Sequence, residues 1–328
     1  MSAHRPQFGL VLANRGVVLG TTSVQALLTL ARQAEETGWD SVWVGDSLLA
    51  KPRLDAIVLL SALAVQTHRV KLGPASFTST PLRHALQLAL QWCSLDVLSQ
   101  GRMIFNASQG APGPAGGAFV EEYAAFQVEP ASRMRRMEEA IEILRLASSE
   151  KHMNYEGTYY HVHQAAILPR PIQQPLPIWI STNTDERKPK MAERALRRVA
   201  RYADGWMTIQ RTPERFAQDL AAIQRYGEEG GRVLPPEFPA SLYLDIHVDE
   251  DRERAFRECK RYLDQYYQQD FPRTAVEVLA AFGSPQQCIE RLRVFQQAGV
   301  TLFVLRLTGE NERQQFERVT CDVLPAFT

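Results

Sequence analysis

Residues 8–46, FGLVLANRGVVLGTTSVQALLTLARQAEETGWDSVWVGD, contain a complete β-α-β unit that decides the fold class. FGLVLA (8–13) is a short apolar run, which predicts a buried parallel strand. Thr22 and Gln25 then have the spacing of a capping box, and apolar residues recur at helical spacing after them. SVWVGD (41–46) predicts the second strand of the unit.

The same unit recurs along the rest of the chain. Further strands are predicted at VKLGPASFT (70–78), RMIFNAS (102–108), PIWIST (177–182), GWMTIQ (205–210), SLYLDIHV (241–248) and TLFVLRL (301–307). Helices are predicted between them at 54–67, 83–99, 132–148, 189–203, after the Thr212 cap, at about 251–268 and after the Ser284 cap. Eight apolar strands that alternate with helices predict an α/β protein with a (β/α)8 TIM barrel, as a single domain over residues 1–328. An open doubly wound sheet is the alternative, but the residues after the first strand lack its glycine-rich phosphate turn.

Two segments interrupt the alternation. QGAPGPAGG (109–117) follows the fourth strand, and we interpret it either as a lid-like loop or as a surface insertion. NYEGTYYHV (154–162) predicts a small hairpin insertion before the fifth strand, with Glu156 and Gly157 at the turn.

Charge and cysteine content narrow the class of protein. The 328 residues include 37 Lys plus Arg and 37 Asp plus Glu, a balance that gives no reason to expect nucleic acid or an anionic membrane as partner. The four cysteines are widely separated, which favours a reducing compartment over a disulfide framework. The sequence has neither a signal-peptide core nor a run of ~18 apolar residues. We therefore expect a soluble, cytoplasmic protein.

Two familiar catalytic patterns are present only in part. His161 and His163 lack a convincing third metal ligand, so we predict no metal site. Ser108 lies in a partial match to the hydrolase nucleophile elbow, but proline and glycine follow where that elbow requires a helix. A serine hydrolase is therefore the least favoured hypothesis.

Polar residues at the carboxyl ends of the predicted strands are better candidates, because barrel enzymes place their chemistry there. These residues are Asp46, Ser47, Ser76, Thr78, Gln109, Gly110, Ser181, Thr182, Asn183 and Thr184. The run 181–184 precedes a helix, so its hydroxyl and backbone N–H groups fit either a phosphate site or an ordinary helix cap.

Several motifs occur together in an order and spacing typical of one family. They are AEETGWDSVWVGD (34–46), VKLGPASFTSTPLRH (70–84), LDVLSQGR (95–102), EEYAAFQV (121–128), RMRRMEEAIEILR (133–145), YEGTYY (155–160), ILPRPIQQPLPIWIS (167–181) and RYADGW (201–206). In these motifs the chain resembles the luciferase-like monooxygenase superfamily. That superfamily includes FMN-linked monooxygenases and dehydrogenases or reductases linked to the deazaflavin F420.

The resemblance implies cofactor-binding roles for individual residues. It places a bulge, often with a non-proline cis peptide, at Ala75 and Ser76 behind the flavin ring, with Thr78 following. It places Asp46 and Ser47 at the ring and the substrate. Gln109 and Gly110, together with the run 181–184, would hold the ribityl phosphate.

Three positions depart from the family pattern. Ser47 stands where many relatives have histidine, and Gln109 stands where luciferase has a phosphate-binding arginine. Ala111 stands where sugar-phosphate dehydrogenases of the F420 branch have a carboxylic acid. Luciferase chemistry and sugar-phosphate oxidation are therefore disfavoured, and no catalytic acid or base is assigned. The cofactor itself can supply the redox chemistry.

The leading hypothesis is an oxidoreductase that uses reduced FMN and O₂ on a small organic substrate. The FMN hypothesis includes a separate flavin reductase as a candidate partner. The alternative is an F420-dependent dehydrogenase or reductase that transfers hydride, and a second alternative is a flavin-binding barrel without turnover. We also expect a homodimer.

Overall fold

The computed structural model of the chain describes residues 5–111, 117–209 and 211–327. The strands are β1 (Gln7–Leu12), β2 (Ser41–Val44), β3 (Lys71–Pro74), β4 (Phe105–Ala107), β5 (Met153–Glu156), β6 (His161–Ala165), β7 (Ile178–Ser181), β8 (Gly205–Thr208), β9 (Ala240–Val248), β10 (Ala280–Gly283) and β11 (Leu302–Leu307). The α-helices are α1 (Gly16–Leu19), α2 (Val24–Glu36), α3 (Ala56–Gln66), α4 (Ala85–Leu98), α5 (Phe119–Ala125), α6 (Arg133–Ser149), α7 (Pro189–Tyr202), α8 (Pro213–Glu229), α9 (Arg252–Tyr267), α10 (Arg273–Leu279), α11 (Pro285–Gln297) and α12 (Glu312–Arg318). Short 3-10 turns lie at Thr80–Leu82, Pro130–Ser132 and Leu324–Phe327, and a π-helical turn at Val319–Val323.

The eight strands that the sequence predicted are all present as β1 to β4, β7 to β9 and β11. They are parallel wherever they pair and alternate with helices, so the (β/α)8 barrel fold is confirmed. The chain separates into two compact units, which are described one at a time below. Whether it is a single domain remains a prediction.

One unit comprises residues 12–179. Strands β2 and β3 pair in register with Trp43 opposite Gly73, and bridges such as Phe77 to Ala107 join β3 to β4. Buried aromatic rings fill the space behind these strands, with Trp92 packed 4.9 Å from Phe105 between ring centroids. Apolar burial of this kind is the main stabilising contribution to a barrel wall.

The predicted hairpin insertion is confirmed in the same unit. Strands β5 and β6 pair antiparallel, and the turn between them is closed by the Gly157 N–H, which donates to the Tyr160 carbonyl over 2.9 Å. In the predicted lid-like loop, residues 112–116 lie outside the described residues. At its far end the Ala118 N–H donates to the Ala50 carbonyl over 3.0 Å.

The other unit comprises residues 1–11 and 180–328. Strands β1, β11, β9 and β8 follow one another side by side, and the Thr182 N–H, just beyond β7, donates to the Met207 carbonyl of β8. Strand β9 is nine residues long and has two neighbours on one edge. Strand β8 pairs with Ala240–Leu242 of β9, and β10 pairs with Asp245–Val248.

Several local expectations need correction. The first long helix is capped by Ser23, whose Oγ accepts from the Ala26 N–H, and not by Thr22. Strand β10 was missed because AAFG has no β-branched residue and is only four residues long. The predicted caps at Thr212 and Ser284 are confirmed, the latter as a complete capping box.

Candidate functional site

Asp46 follows strand β2 and is buried. Its Oδ2 accepts a hydrogen bond from the backbone N–H of Ser79 over 2.7 Å. The Thr78 hydroxyl lies 2.7 Å from the Asp46 carbonyl oxygen and 3.3 Å from Oδ2. Thr78 and Asp46, which the sequence predicted independently, are therefore brought together at the ends of neighbouring strands.

The second carboxylate oxygen of Asp46 is less well satisfied. Among the described residues, Oδ1 has no hydrogen-bond partner. Arg83 lies 3.7 Å away, but its guanidinium bonds more closely to Asp55, over 2.6 Å. Burial raises the pKa of Asp46, while Arg83 and the Ser79 N–H partly oppose that shift. Oδ1 is therefore an acceptor, or a site for a proton, that the surrounding protein leaves available.

Ser47 has a different environment from the one expected of a base or ring partner. Its Oγ donates to the Lys51 carbonyl over 2.8 Å and accepts from the Lys51 N–H over 3.1 Å. The same loop is held by buried Glu122 of α5, whose carboxylate accepts from the Leu49 N–H and, over 2.7 Å, from the Ala50 N–H. The Ser47 hydroxyl therefore stabilises this turn, and no sequence pattern pointed to the role of Glu122.

The segment after β3 has the backbone form that the family resemblance implied, because the Ala75–Ser76 peptide bond is cis. Gly110 is nearby and has a φ of +67°. A Cβ atom on Gly110 would lie 2.8 Å from the Tyr123 hydroxyl and 3.0 Å from the Thr78 carbonyl oxygen. The Tyr123 hydroxyl also donates to the Gln109 carbonyl over 2.9 Å. Only glycine fits this position without strain.

In the other unit, the run after β7 is joined to neighbouring elements by hydrogen bonds. The Asn183 Oδ1 accepts from the Thr208 hydroxyl and from the Ile209 N–H, each over 2.9 Å. The Thr184 hydroxyl donates to Asp219 Oδ2 over 2.7 Å. Ser181 is half-buried at the end of the strand. The run is thus more than a helix cap, because its side chains bond to β8 and α8.

Two arginines that the sequence analysis did not single out adjoin this run. Arg215 Nη2 lies 3.0 Å from the Thr184 Oγ1, and its Nε lies 3.0 Å from Asp219 Oδ1. Arg211 Nε lies 3.4 Å from the other Asp219 oxygen, and burial lowers the Arg211 pKa. Arg215 also reaches Glu186, but that carboxylate is on the surface, with 71% of its side chain exposed.

We call Thr184, Arg211, Arg215 and Asp219 the arginine cluster. Its charged groups are the buried guanidinium of Arg211, the half-buried guanidinium of Arg215 and the buried carboxylate of Asp219. An anion placed beside the arginines would balance that charge, and arginine donors suit phosphate oxygens well. By its charge and its N–H donors, the arginine cluster therefore fits the phosphate of a ribityl cofactor.

The remaining sequence candidates have simpler environments. His161 Nδ1 lies 2.7 Å from the Glu156 carboxylate at the exposed hairpin, and no cluster of three metal-ligating side chains occurs in the described ranges. Ser108 Oγ lies 3.4 Å from the Gly110 N–H. Across residues 5–111, 117–209 and 211–327, no helix is both long and apolar enough to cross a bilayer.

In a parallel α/β barrel, polar side chains at the strand ends and a cationic cluster beside one of them lie where barrel enzymes place their active and phosphate-binding sites. The family model described as luciferase-like monooxygenase matches residues 7–302. The chain belongs to this family of flavin- or F420-dependent oxidoreductases.

Comparison with individual proteins gives both F420-dependent dehydrogenases and a monooxygenase. The F420-dependent glucose-6-phosphate dehydrogenase of Kineococcus radiotolerans is 28% identical over 242 residues, which span 71% of this chain and 67% of that protein. An F420-dependent secondary alcohol dehydrogenase in complex with an F420-acetone adduct has a TM-score of 0.81 at 18% identity and 99% coverage of both chains. Monooxygenase RslO1 of Streptomyces bottropensis has a TM-score of 0.79 at 21% identity, covering 98% of this chain and 100% of the other. The two structural likenesses establish the shared fold.

Proposed function

We propose that the protein is an F420-dependent oxidoreductase that transfers hydride to or from a small organic substrate. The observation that carries the proposal is the arginine cluster, which fits a cofactor phosphate, in a chain whose curated relative is named F420-dependent. From the sequence alone, FMN with O₂ is the leading hypothesis and F420 the alternative. The named relative favours the opposite order.

The arginine cluster would hold the cofactor through its phosphate. Arg211 and Arg215 supply N–H donors, Asp219 fixes their orientation, and Thr184 links the cluster to the strand end. Bound F420 would supply the hydride chemistry, so the arginine cluster needs only to bind and orient the cofactor.

Asp46 has a separate role in this proposal. Its Oδ1 has no hydrogen-bond partner in the described part of the chain, and burial raises the pKa of the carboxyl. A carboxyl in this state can hold or release a proton when hydride moves to or from a carbonyl or alcohol carbon. We propose Oδ1 as the atom where that proton resides.

The substrate we propose is not a sugar phosphate. Ala111 supplies no carboxylic acid, and Ser47 replaces a histidine with a hydroxyl that bonds to Lys51. These two positions separate the chain from the activity named for its curated relative.

The deciding experiment is titration of purified protein with F420 and with FMN. We expect F420 to bind and FMN to bind more weakly, and O₂ uptake by the loaded, reduced protein to stay at background. Tight FMN binding with O₂ uptake would replace the proposal with the monooxygenase hypothesis. Binding without turnover on any alcohol or ketone would support the non-catalytic barrel.

The phosphate assignment needs its own variant. Thr184→Val removes the hydroxyl that joins Arg215 and Asp219, so we expect F420 affinity to fall about 5- to 10-fold, as for one hydrogen bond near charged groups. Ser94→Ala is the control, because among the described residues the Ser94 hydroxyl donates to the Leu90 carbonyl of its own helix and to no other group. Unchanged affinity in Thr184→Val would refute the phosphate site.

We also propose that two copies of the chain pair through helices α3 and α4. Val58 and Val65 on α3, with Leu90 and Leu98 on α4, are apolar yet 42–68% exposed. Adjacent exposed apolar side chains of this kind mark association surfaces. Light scattering should give a dimer for the native chain and a monomer for Val58→Glu/Val65→Glu; a monomeric native chain would contradict the proposal.

A further inference from the structure

A buried ion pair joins strands β9 and β11. Arg306 donates from Nε to Asp245 Oδ1 over 2.6 Å and from Nη2 to Oδ2 over 3.0 Å, so the pair is bidentate. Both residues are less than 5% exposed. The third guanidinium nitrogen, Nη1, is buried and makes no well-aligned hydrogen bond among the residues that the structure describes, although the Tyr267 hydroxyl interacts with the guanidinium group. An orphaned N–H group on a buried cation is costly and calls for an explanation.

Four tyrosines surround this guanidinium. The Arg306 Cζ lies 4.2 Å from the ring centroid of Tyr266, 5.3 Å from that of Tyr262, 5.4 Å from that of Tyr243 and 5.5 Å from that of Tyr267. All four tyrosines are half-buried. We call Arg306, Asp245 and these four residues the tyrosine cage. All four rings thus lie within 5.5 Å of the guanidinium carbon, and each tyrosine keeps part of its surface exposed.

The tyrosine cage lies at the strand edge where ligands bind in this fold. The last paired residue of β8 is Thr208, opposite Leu242, and Asp245 is three residues farther along β9. Arg306 is opposite Asp245 and is the penultimate residue of β11. All these strands are parallel, so the tyrosine cage is at their carboxyl ends, like the arginine cluster after β7 and β8.

Charge decides which ligand group suits Nη1. Asp245 already neutralises Arg306, and burial raises the pKa of Tyr243 and Tyr262, so their phenols stay protonated and uncharged. An ionised carboxylate or phosphate would add a second negative charge to a desolvated pair that is already neutral. An uncharged carbonyl oxygen accepts the N–H without that cost. The flat tyrosine rings favour a flat partner through stacking.

We propose that the tyrosine cage is a substrate subsite for uncharged, planar carbonyl compounds such as aryl or conjugated ketones. The carbonyl oxygen accepts from Arg306 Nη1 as the ring of Tyr266 turns aside, and the other rings stack on the substrate plane. The proposal rests on the proposed function, because a ketone and its alcohol are the two ends of a hydride transfer.

The test is calorimetric titration of the full chain without cofactor. The probes are acetylnaphthalene, an uncharged planar ketone; naphthoate, which has the same rings and a carboxylate; and glucose-6-phosphate. We expect the ketone to bind, naphthoate to bind at least about tenfold more weakly, and glucose-6-phosphate to give no heat. Equal affinity for naphthoate would overturn the charge argument, and no binding of the ketone would overturn the subsite.

Variants locate the binding. Tyr266→Leu keeps the ion pair and should weaken ketone binding about tenfold, while Tyr266→Phe keeps the ring and should bind within about threefold of the native protein. Tyr159→Leu is the matched control, since Tyr159 also lies against an arginine, with Arg136 Cζ 4.4 Å from its ring centroid. Native affinity in Tyr266→Leu would mean that the ketone binds elsewhere.

Arg306→Lys keeps the charge opposite Asp245 but removes Nη1, and it should weaken ketone binding in a variant that circular dichroism shows to be folded. If Nη1 bonds only to a trapped water, this variant will bind the ketone like the native protein, and the subsite is refuted. A separate F420 titration keeps the two ideas apart. Ketone binding without F420 binding would refute the proposed function, and F420 binding without ketone binding would refute only the subsite.

Discussion

Two buried aspartates at strand ends, Asp46 in one unit and Asp219 in the other, have opposite hydrogen-bonding states. Asp219 contacts the Thr184 hydroxyl and two guanidinium groups, so both of its oxygens are engaged. Asp46 has one engaged oxygen and one without a hydrogen-bond partner among the described residues. A saturated carboxylate orients its neighbours, whereas an unsaturated one can itself take part in proton transfer.

We expect the largest loss of stability from substitution of Asp219. Asp219→Ala would leave the buried guanidinium of Arg211 and the half-buried one of Arg215 without their shared carboxylate, so we expect the free energy of unfolding to fall by about 3–5 kcal/mol. Urea denaturation measures the loss. Asp185→Asn, which affects an exposed pair with Arg187, is the control and should cause no measurable change. A small effect at Asp219 would show that it does not organise the arginines.

Substitution of Arg215 tests whether the arginine cluster around Asp219 binds an anion. Arg215→Met removes a charged donor from the arginine cluster, and we expect F420 affinity to fall about 10- to 100-fold, corresponding to about 1.5–3 kcal/mol. Arg215→Lys should recover part of the loss, because it restores charge without the planar donor pair. Fluorescence titration measures both. If Arg215→Met binds normally, the cationic charge has a purely structural role.

Gly110 tests how tightly the region around Asp46 and Thr78 is built. Gly110→Ala places a Cβ 3.0 Å from the Thr78 carbonyl at a positive φ, so we expect a loss of about 1–2 kcal/mol from the backbone alone and more from the contact. Gly231→Ala is the matched control, because its φ of +75° is similar and, apart from its chain neighbours, no atom in the described part of the chain lies within 4 Å of its Cβ. If thermal or urea unfolding shows equal losses of stability in the two variants, the backbone around Gly110 moves to accommodate the added Cβ.

Asp46→Asn should produce the smallest effect, in the pH dependence of stability. Because the pKa of Asp46 is raised in the folded state, that state binds the proton more tightly than the unfolded chain does. The native protein therefore loses stability as the pH rises from the ordinary aspartate pKa of ~3.9 through the raised value. The variant should lack this decline in urea unfolding measured across that range. If the variant keeps the pH dependence of the native protein, a group other than Asp46 causes that dependence.

The sequence predicted the fold well because each strand and helix is recorded locally. SVWV and LFVL are short apolar runs, and Ser284 and Thr212 are caps that a sequence pattern can identify. Ser23 and Thr22 are both good capping residues, so which of them caps α2 depends on the chain geometry. The strand-end residues were predictable for a similar reason, since parallel strands bring their carboxyl ends to one edge.

The arginines were not predictable in the same way. Arg215 and Asp219 have the i, i+4 spacing of an exposed helix pair, and only the packing of α8 beside Thr184 buries them. Arg306 and Asp245 are 61 residues apart, so no local pattern joins them. The one available signal was a charged residue inside each of two otherwise apolar strands. The resemblance identified the family, but its motifs are shared by both cofactor branches.

Strand β9 has room on one edge for both β8 and β10, and this has a consequence for protein design. Residues 252–283, from α9 to β10, add helices and a short strand beside β9 without changing the order of the eight strands. Three of the four tyrosines around Arg306 belong to this segment, whereas Arg306 and Asp245 belong to the strands. Replacement of residues on this one segment therefore alters the aromatic walls and keeps the ion pair, so the surroundings of Arg306 can be redesigned without rebuilding the strands.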